Sequence, residues 1–223
     1  MDLTKSIEYF NPSKVTQKCH IIGCGSVGST IAENLARLGI TNFVLYDFDK
    51  VEPHNIANQM FVHSDIKTPK VDAVKKIICD INPEAEKFIE IHSEGYTNQK
   101  LNGYVFLAVD NIDLRREICE KNKMNRAIKA VFDFRTRLED AQHYAADWGD
   151  LKQVVNIIKT MDFSHEEAHE ATPTTACGTE LGVAPTVRTV CSLGVTNFMN
   201  FARGLPIKKI ILCNPFTFEV EAY

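Results

Sequence analysis

The chain has 223 residues, 44% of them hydrophobic, which is enough apolar material for a sizeable core in a single domain spanning residues 1–223. Its formal net charge of −4 argues against a nucleic-acid partner, which would select a basic face, and no run is apolar for long enough to span a membrane. Seven scattered cysteines with no Cys-x-x-Cys pair, and an N-terminus without a signal-peptide core, exclude a disulfide framework and a zinc knuckle and lead us to expect a cytoplasmic protein with reduced thiols.

In chain order, Lys18–Ile22 reads as a short strand running into Gly23, Gly25 and Gly28. Val27, Ile31, Leu35 and Leu38 then recur at helical spacing, with Gly39 as the stop, and Asn42–Tyr46 reads as a second strand. Lys70–Cys79 reads as a helix ended by Asn82–Pro83, Phe88–His92 as a strand, Tyr104–Val109 as a strong strand and Asp110–Lys123 as a helix. Ile128–Phe132 and Gln142–Ala145 are further strands. Trp148–Thr179 is polar and weakly patterned, which predicts a mobile insertion near the site. Val183–Ala202 reads as a long buried helix broken near Pro185, and Lys208–Val220 as a hairpin turning at Asn214–Pro215. Strands alternating with helices predict an α/β, Rossmann-like fold: a mostly parallel sheet, helices on both faces and a C-terminal antiparallel hairpin. The ligand crevice then lies at the carboxyl ends of the strands.

Gly23–Cys24–Gly25–Ser26–Val27–Gly28 is a Gly-x-Gly-x-x-Gly fingerprint between a strand and a helix. The first glycine permits the turn, the second lets phosphate approach the backbone, and the third lets helix meet strand. Amides near Ser26 and the helix dipole favour an anion. Asp47, 19 residues after Gly28, suits a ribose. This pattern fits NAD, FAD, S-adenosylmethionine or ATP.

After Asp47 the chain enters a polar loop carrying Asp49, Asn55, Asn58 and Gln59, and reaches Lys70 at a helix start. This stretch resembles the ThiF/MoeB/HesA family, relatives of the ubiquitin-activating enzymes, whose signature is Asp-x-Asp-x-Val-x-x-x-Asn-Leu-x-Arg-Gln followed by a lysine. Asp47, Asp49, Val51, Asn55 and Gln59 match it, Ile56 stands for the leucine, and Lys70 falls at the lysine. Downstream, Asp110–Asn111 and Arg115 resemble the family's strand-end aspartate, asparagine and arginine. The resemblance implies an ATP-dependent adenylyltransferase, usually a homodimer. It would activate the C-terminal carboxylate of a small ubiquitin-like or sulfur-carrier protein ending in Gly-Gly.

The residue types suit that chemistry. Asp110 at a strand end suits Mg2+, which prefers oxygen ligands; Lys70 suits a phosphate, and Asn55 and Gln59 can orient phosphate oxygens. Each also has an ordinary alternative: Lys70 as a solvated helix residue, Asp110 as the cap of the next helix, Asn55 and Gln59 as loop braces. Asn58 stands where the family usually has a phosphate-binding arginine, a loss of charge that Arg115, Arg116, Arg135 or Arg137 would have to make good. Cys177 lies near where some relatives carry an acyl-accepting cysteine, and is equally read as a small loop residue. Zinc is not expected. His165 and His169, among Glu166, Glu167 and Glu170, read as a solvated helix face. Asp133–Phe134–Arg135 closes a strand, its charges facing a partner's tail or phosphates, or pairing with each other. Two other functions remain open: a non-catalytic relative that binds nucleotide or tail, and an NAD- or FAD-binding oxidoreductase.

Overall fold

The apolar runs become the strands of one sheet in the structure, a computed structural model that describes residues 1–170 and 181–223. The strands are β1 (Cys19–Ile22), β2 (Phe43–Tyr46), β3 (Ile89–His92), β4 (Gly103–Leu107), β5 (Ile128–Thr136), β6 (Ala141–Asp147), β7 (Ile210–Asn214) and β8 (Glu219–Ala222). They lie in the order β3-β2-β1-β4-β5-β6-β7-β8. The first five are parallel, and β6, β7 and β8 add antiparallel ladders at the β5 side. Every residue of β1, β2 and β4 is buried, as parallel strands covered on both faces require. The antiparallel part is wider than the C-terminal hairpin expected, because β5 runs on to Thr136 and turns back into β6.

The helices are α1 (Ser26–Arg37), α2 (Lys70–Ile81), α3 (Ile112–Asn122), α4 (Leu151–Lys159), α5 (His165–Glu170) and α6 (Ala184–Ala202). One face of the sheet carries α1, α2 and α6, whose Ile31, Leu35, Val71, Val74, Val190 and Phe198 meet Ile21, Leu45, Phe106 and Phe132. The other carries α3 and α4, with Ile118, Val154 and Ile157 against Ile22, Val105 and Val131. Gly39, at φ +87°, ends α1 in the left-handed conformation that suits glycine.

Two readings of the sequence are corrected. Pro185 does not break α6; it sits in the first turn, where its missing N–H has no intrahelical acceptor to lose. The weakly patterned stretch 148–179 contains, over its described part, a buried Trp148 and the helices α4 and α5. Asp150 caps α4 by accepting from Lys152 and Gln153. No helix among the described residues is long and apolar enough to cross a membrane.

The strand order reverses between β1 and β4. Their carboxyl ends diverge into α1 and α3, leaving the crevice where ligands bind in open α/β sheets.

Candidate nucleotide site

The glycine loop lies in that crevice. Gly23 has φ +96° and packs so closely on the next strand that an added Cβ would lie 2.7 Å from the Ala108 and Val109 backbone. A Cβ on Gly28 would lie 1.8 Å from the Gly23 carbonyl oxygen, so these two glycines are demanded by the fold itself. Gly25 is different: a Cβ there meets nothing within 4 Å. It is the N-cap of α1 and no side chain caps it, so the orphan amides of that helix's first turn are not taken by a capping side chain.

A continuous string of polar contacts runs beside this opening. Asp47 Oδ2 accepts from the Cys24 amide at 2.7 Å and Oδ1 from the Asp49 amide at 2.8 Å. Asp49 Oδ2 in turn accepts from Lys70 Nζ at 2.7 Å. Burial holds the Asp47 carboxyl above the usual carboxylate range, against the lowering effect of its two amide bonds. Lys70 is buried, and Asp49 supplies the anion that a lysine in a helix's first turn calls for. The solvated-lysine alternative is thereby excluded. The Cys24 thiol is fully buried, which raises its pKa and leaves it inert as a nucleophile.

The polar loop contains two 3-10 turns, Pro53–Ala57 and His63–Asp65, and is tied to α1 by Met60 N donating to Ser29 Oγ at 3.2 Å. Asn55 is buried and its Oδ1 accepts from Glu52 N at 2.9 Å, so its carbonyl side braces the loop. Gln59 Oε1 is buried with no partner among the described residues. An orphaned acceptor costs free energy unless a ligand or water donates to it. Asn58 faces Gly182, whose added Cβ would lie 3.4 Å from Asn58 Nδ2.

At the end of β4, Asp110 is exposed and does not cap α3. That task belongs to Asn111, whose Oδ1 accepts from Leu114 N at 2.9 Å. Asp110 makes no hydrogen bond or ion pair among the described residues.

Arg115 was expected at the cofactor; the structure commits its side chain to groups of the protein itself. Its side chain is 7% exposed; Nη1 pairs with Asp133 Oδ1 at 2.5 Å and donates to the Phe134 carbonyl, and Nε donates to the Val109 carbonyl at 2.7 Å. Arg116 holds Asp113 and the Met161 carbonyl. Arg135 holds Asp133 Oδ2 at 2.8 Å together with Thr160. Of the arginines named as replacements for the one missing at Asn58, these three are committed to the protein; Arg137 is exposed. Asp133 is fully buried between Arg115 and Arg135, so an internal ion pair, not a charge facing a tail, is what the strand end presents. The signal was present in the sequence: Arg115 falls on the α3 face of Ile112, Ile118 and Cys119, where a cation demands a buried partner.

Cys177, Thr179 and their neighbours lie outside the described residues. So do the side chains of His169 and Glu170. Among the described residues, His165 Nδ1 is buried without a partner, and no group of three or more His, Cys, Asp or Glu is placed to hold a metal ion.

Comparison with known proteins adds an independent line. The model of the ThiF family matches residues 14–211. "Ubiquitin-like modifier-activating enzyme 5" of Caenorhabditis briggsae is 28% identical over 123 residues, covering 53% of this chain and 26% of that protein. The protein of the same name from Drosophila virilis is 30% identical over 144 residues, covering 56% of this chain and 35% of its own length. The chain thus aligns with about a third or less of these curated relatives. Among solved structures, E. coli MccB with ATP superposes with a TM-score of 0.71 at 16% identity, over 95% of this chain and 65% of that one. E. coli MccB with MccA-N7isoASN gives 0.74 at 15% identity, over the same shares. These structural likenesses establish the Rossmann-like fold.

Proposed function

The chain belongs to the ThiF family, and from that premise we propose that it binds ATP and adenylates a carboxylate of a small protein or peptide. In the reaction a carboxylate oxygen forms a bond to the α-phosphorus of ATP. The bond from that phosphorus to the bridging oxygen breaks, and pyrophosphate leaves with the electron pair.

The observation that carries the reading is the string Cys24–Asp47–Asp49–Lys70 beside a Gly25 that opens onto space. The amides at the start of α1 receive phosphate oxygens. Asp47, its two known bonds taken from backbone amides, keeps lone pairs for ribose hydroxyls. Lys70 is held in place by Asp49 at 2.7 Å and contributes a cation to the growing charge on the phosphates. The orphaned Gln59 Oε1 takes a donor from substrate or water. Asp110 suits Mg2+, since nucleotide sites bind that ion through one or two carboxylates, waters and the phosphates. When bound, magnesium neutralises phosphate charge and orients the leaving pyrophosphate. We take the substrate to be a small ubiquitin-like or sulfur-carrier protein ending in Gly-Gly, a choice supported by relatives named for activating a ubiquitin-like modifier, and the catalytic unit to be a homodimer. MccB is solved both with ATP and with MccA, which favours the same pairing of nucleotide and partner here.

A second reading rests on Asn58. With Arg115, Arg116 and Arg135 committed elsewhere, a chain that binds nucleotide without adenylating is a coherent alternative.

Thermal unfolding with ATP plus magnesium, NAD, FAD and S-adenosylmethionine in parallel tests the nucleotide. A ligand at about 100 times its Kd adds roughly 2.7 kcal/mol of stability. We expect a shift with ATP–magnesium that is reduced in Asp110→Ala; a shift with NAD or FAD and none with ATP overturns the reading. Pyrophosphate exchange in the presence of a cognate carboxylate separates the catalyst from the mere binder.

A further inference from the structure

Asp133 is an aspartate with no exposure, set between Phe132 and Phe134 in β5 and in register with Leu107 of β4 and Tyr144 of β6. Both its oxygens are taken by arginines, Arg115 at 2.5 Å and Arg135 at 2.8 Å, and its carbonyl faces His143 Nδ1 at 3.1 Å. A buried charge cluster of this kind is poor value as a stabiliser: desolvation of the ions cancels most of the attraction, and apolar replacements often do as well. What the cluster delivers is direction, because a guanidinium fork fixes several acceptors at once.

The two forks hold two different segments of the chain. Arg115 Nε and Nη2 both donate to the carbonyl of Val109, the residue immediately before Asp110. Arg135 Nη1 and Nη2 hold the carbonyl and hydroxyl of Thr160 at 2.7 and 2.8 Å, and its guanidinium lies 4.3 Å from the Tyr144 ring centroid. Thr160 begins the segment that follows α4. That segment is bound back to the first turn of α3, by Arg116 donating to the Met161 carbonyl at 3.1 Å and by His165 N donating to Asp113 Oδ2 at 3.3 Å. The Val109–Asp113 turn and the Thr160–His165 segment are therefore one block, referred to a single buried carboxylate.

We propose that Arg115, Asp133 and Arg135 are positioning residues for the nucleotide site: Asp133 is the fixed point, Arg115 sets the turn that presents Asp110, and Arg135 sets the segment that braces that turn. The role of Asp110 toward magnesium rests on the adenylation reading above; the coupling of the two segments does not.

The two parts have separate readouts. Hydrogen exchange by mass spectrometry on Asp133→Asn and Arg115→Lys measures the coupling without nucleotide. Lysine keeps the charge but cannot bridge Val109 and Asp133 together. We expect amides 110–114 and 160–165 to exchange at least tenfold faster in both variants, while amides of β1 and β2 are unchanged. Faster exchange across the whole sheet, or at one segment alone, overturns the proposal; Arg115→Lys supplies the measurement if Asp133→Asn does not fold. The second readout is ATP affinity with and without magnesium. In Arg115→Lys we expect affinity without magnesium to hold and the gain on adding magnesium to fall about tenfold. An equal loss under both conditions overturns the positioning of Asp110. Absence of any ATP binding by the wild type would instead overturn the adenylation reading, and the exchange result would stand by itself.

Discussion

At the scale of single residues, the three glycines of the fingerprint separate into two kinds. Gly28 has no room for a side chain, with a Cβ 1.8 Å from a carbonyl oxygen, whereas Gly25 has open space above it. Gly28→Ala should therefore cost roughly 1–3 kcal/mol, the usual penalty for forcing a methyl into a packed site, read as a fall in urea midpoint at unchanged slope. Gly25→Ala should leave that midpoint within about 0.5 kcal/mol. It should weaken ATP by about tenfold, or 1.4 kcal/mol, because a methyl occupies the path of the phosphate. If the alanine at 25 binds ATP as tightly as glycine does, the phosphate does not pass there. The spacing of the three glycines in the sequence already assigned this division of labour; what it lacked was the closeness of β4 and Gly23, which sets how strictly each glycine is required.

Among elements, α6 shows packing overriding local preference. Gly194 lies mid-helix, and its added Cβ would sit 2.2 Å from Phe134 Cε1 and 3.1 Å from His143 Nδ1. Alanine gains about 1 kcal/mol of helix propensity over glycine, yet contact this short on a fully buried ring costs more. Gly194→Ala should lower stability by roughly 1–2 kcal/mol in chemical unfolding; a gain would show that α6 lifts freely from the sheet. Helices and strands with one clear period were legible in the sequence: α1 from Val27, Ile31 and Leu35, and the parallel strands from their unbroken apolar runs. The weakly patterned stretch hid α4, because Leu151 and Val155 stay exposed and blur its apolar stripe. Arg115 and Asp133 were readable as residues but not as partners, since 18 positions separate them and no local period links a helix face to the end of a later strand. The nature of the Asn55 contact was equally hidden, for loop hydrogen bonds have no period to betray them.

At the scale of the whole molecule, the buried His20 and His143 shape its response to acid. Burial lowers the pKa of His20 and of His143 from 6.5 to about 4. In the unfolded chain both protonate near 6.5, so between 6.5 and 4 the unfolded state binds more protons. Their contribution is fully present above the unfolded value and is lost as pH falls through that window, roughly 3 kcal/mol for each histidine. Urea midpoints taken at about pH 7 and about pH 4.5 should fall farther for the wild type than for His143→Gln; equal falls would refute the assignment to His143. The sheet order has a further consequence, for the growing chain. β1 pairs with β2 through Cys19 and Phe43, but also with β4 through Cys19 and Tyr104, and α1 is covered by α6, which begins only at Ala184. During synthesis the fingerprint glycines emerge early and wait: their floor at Ala108–Val109 and their cover over α1 are both made later. A nucleotide therefore has no finished cradle to grip on the ribosome, and it can select only chains whose later strands have already arrived.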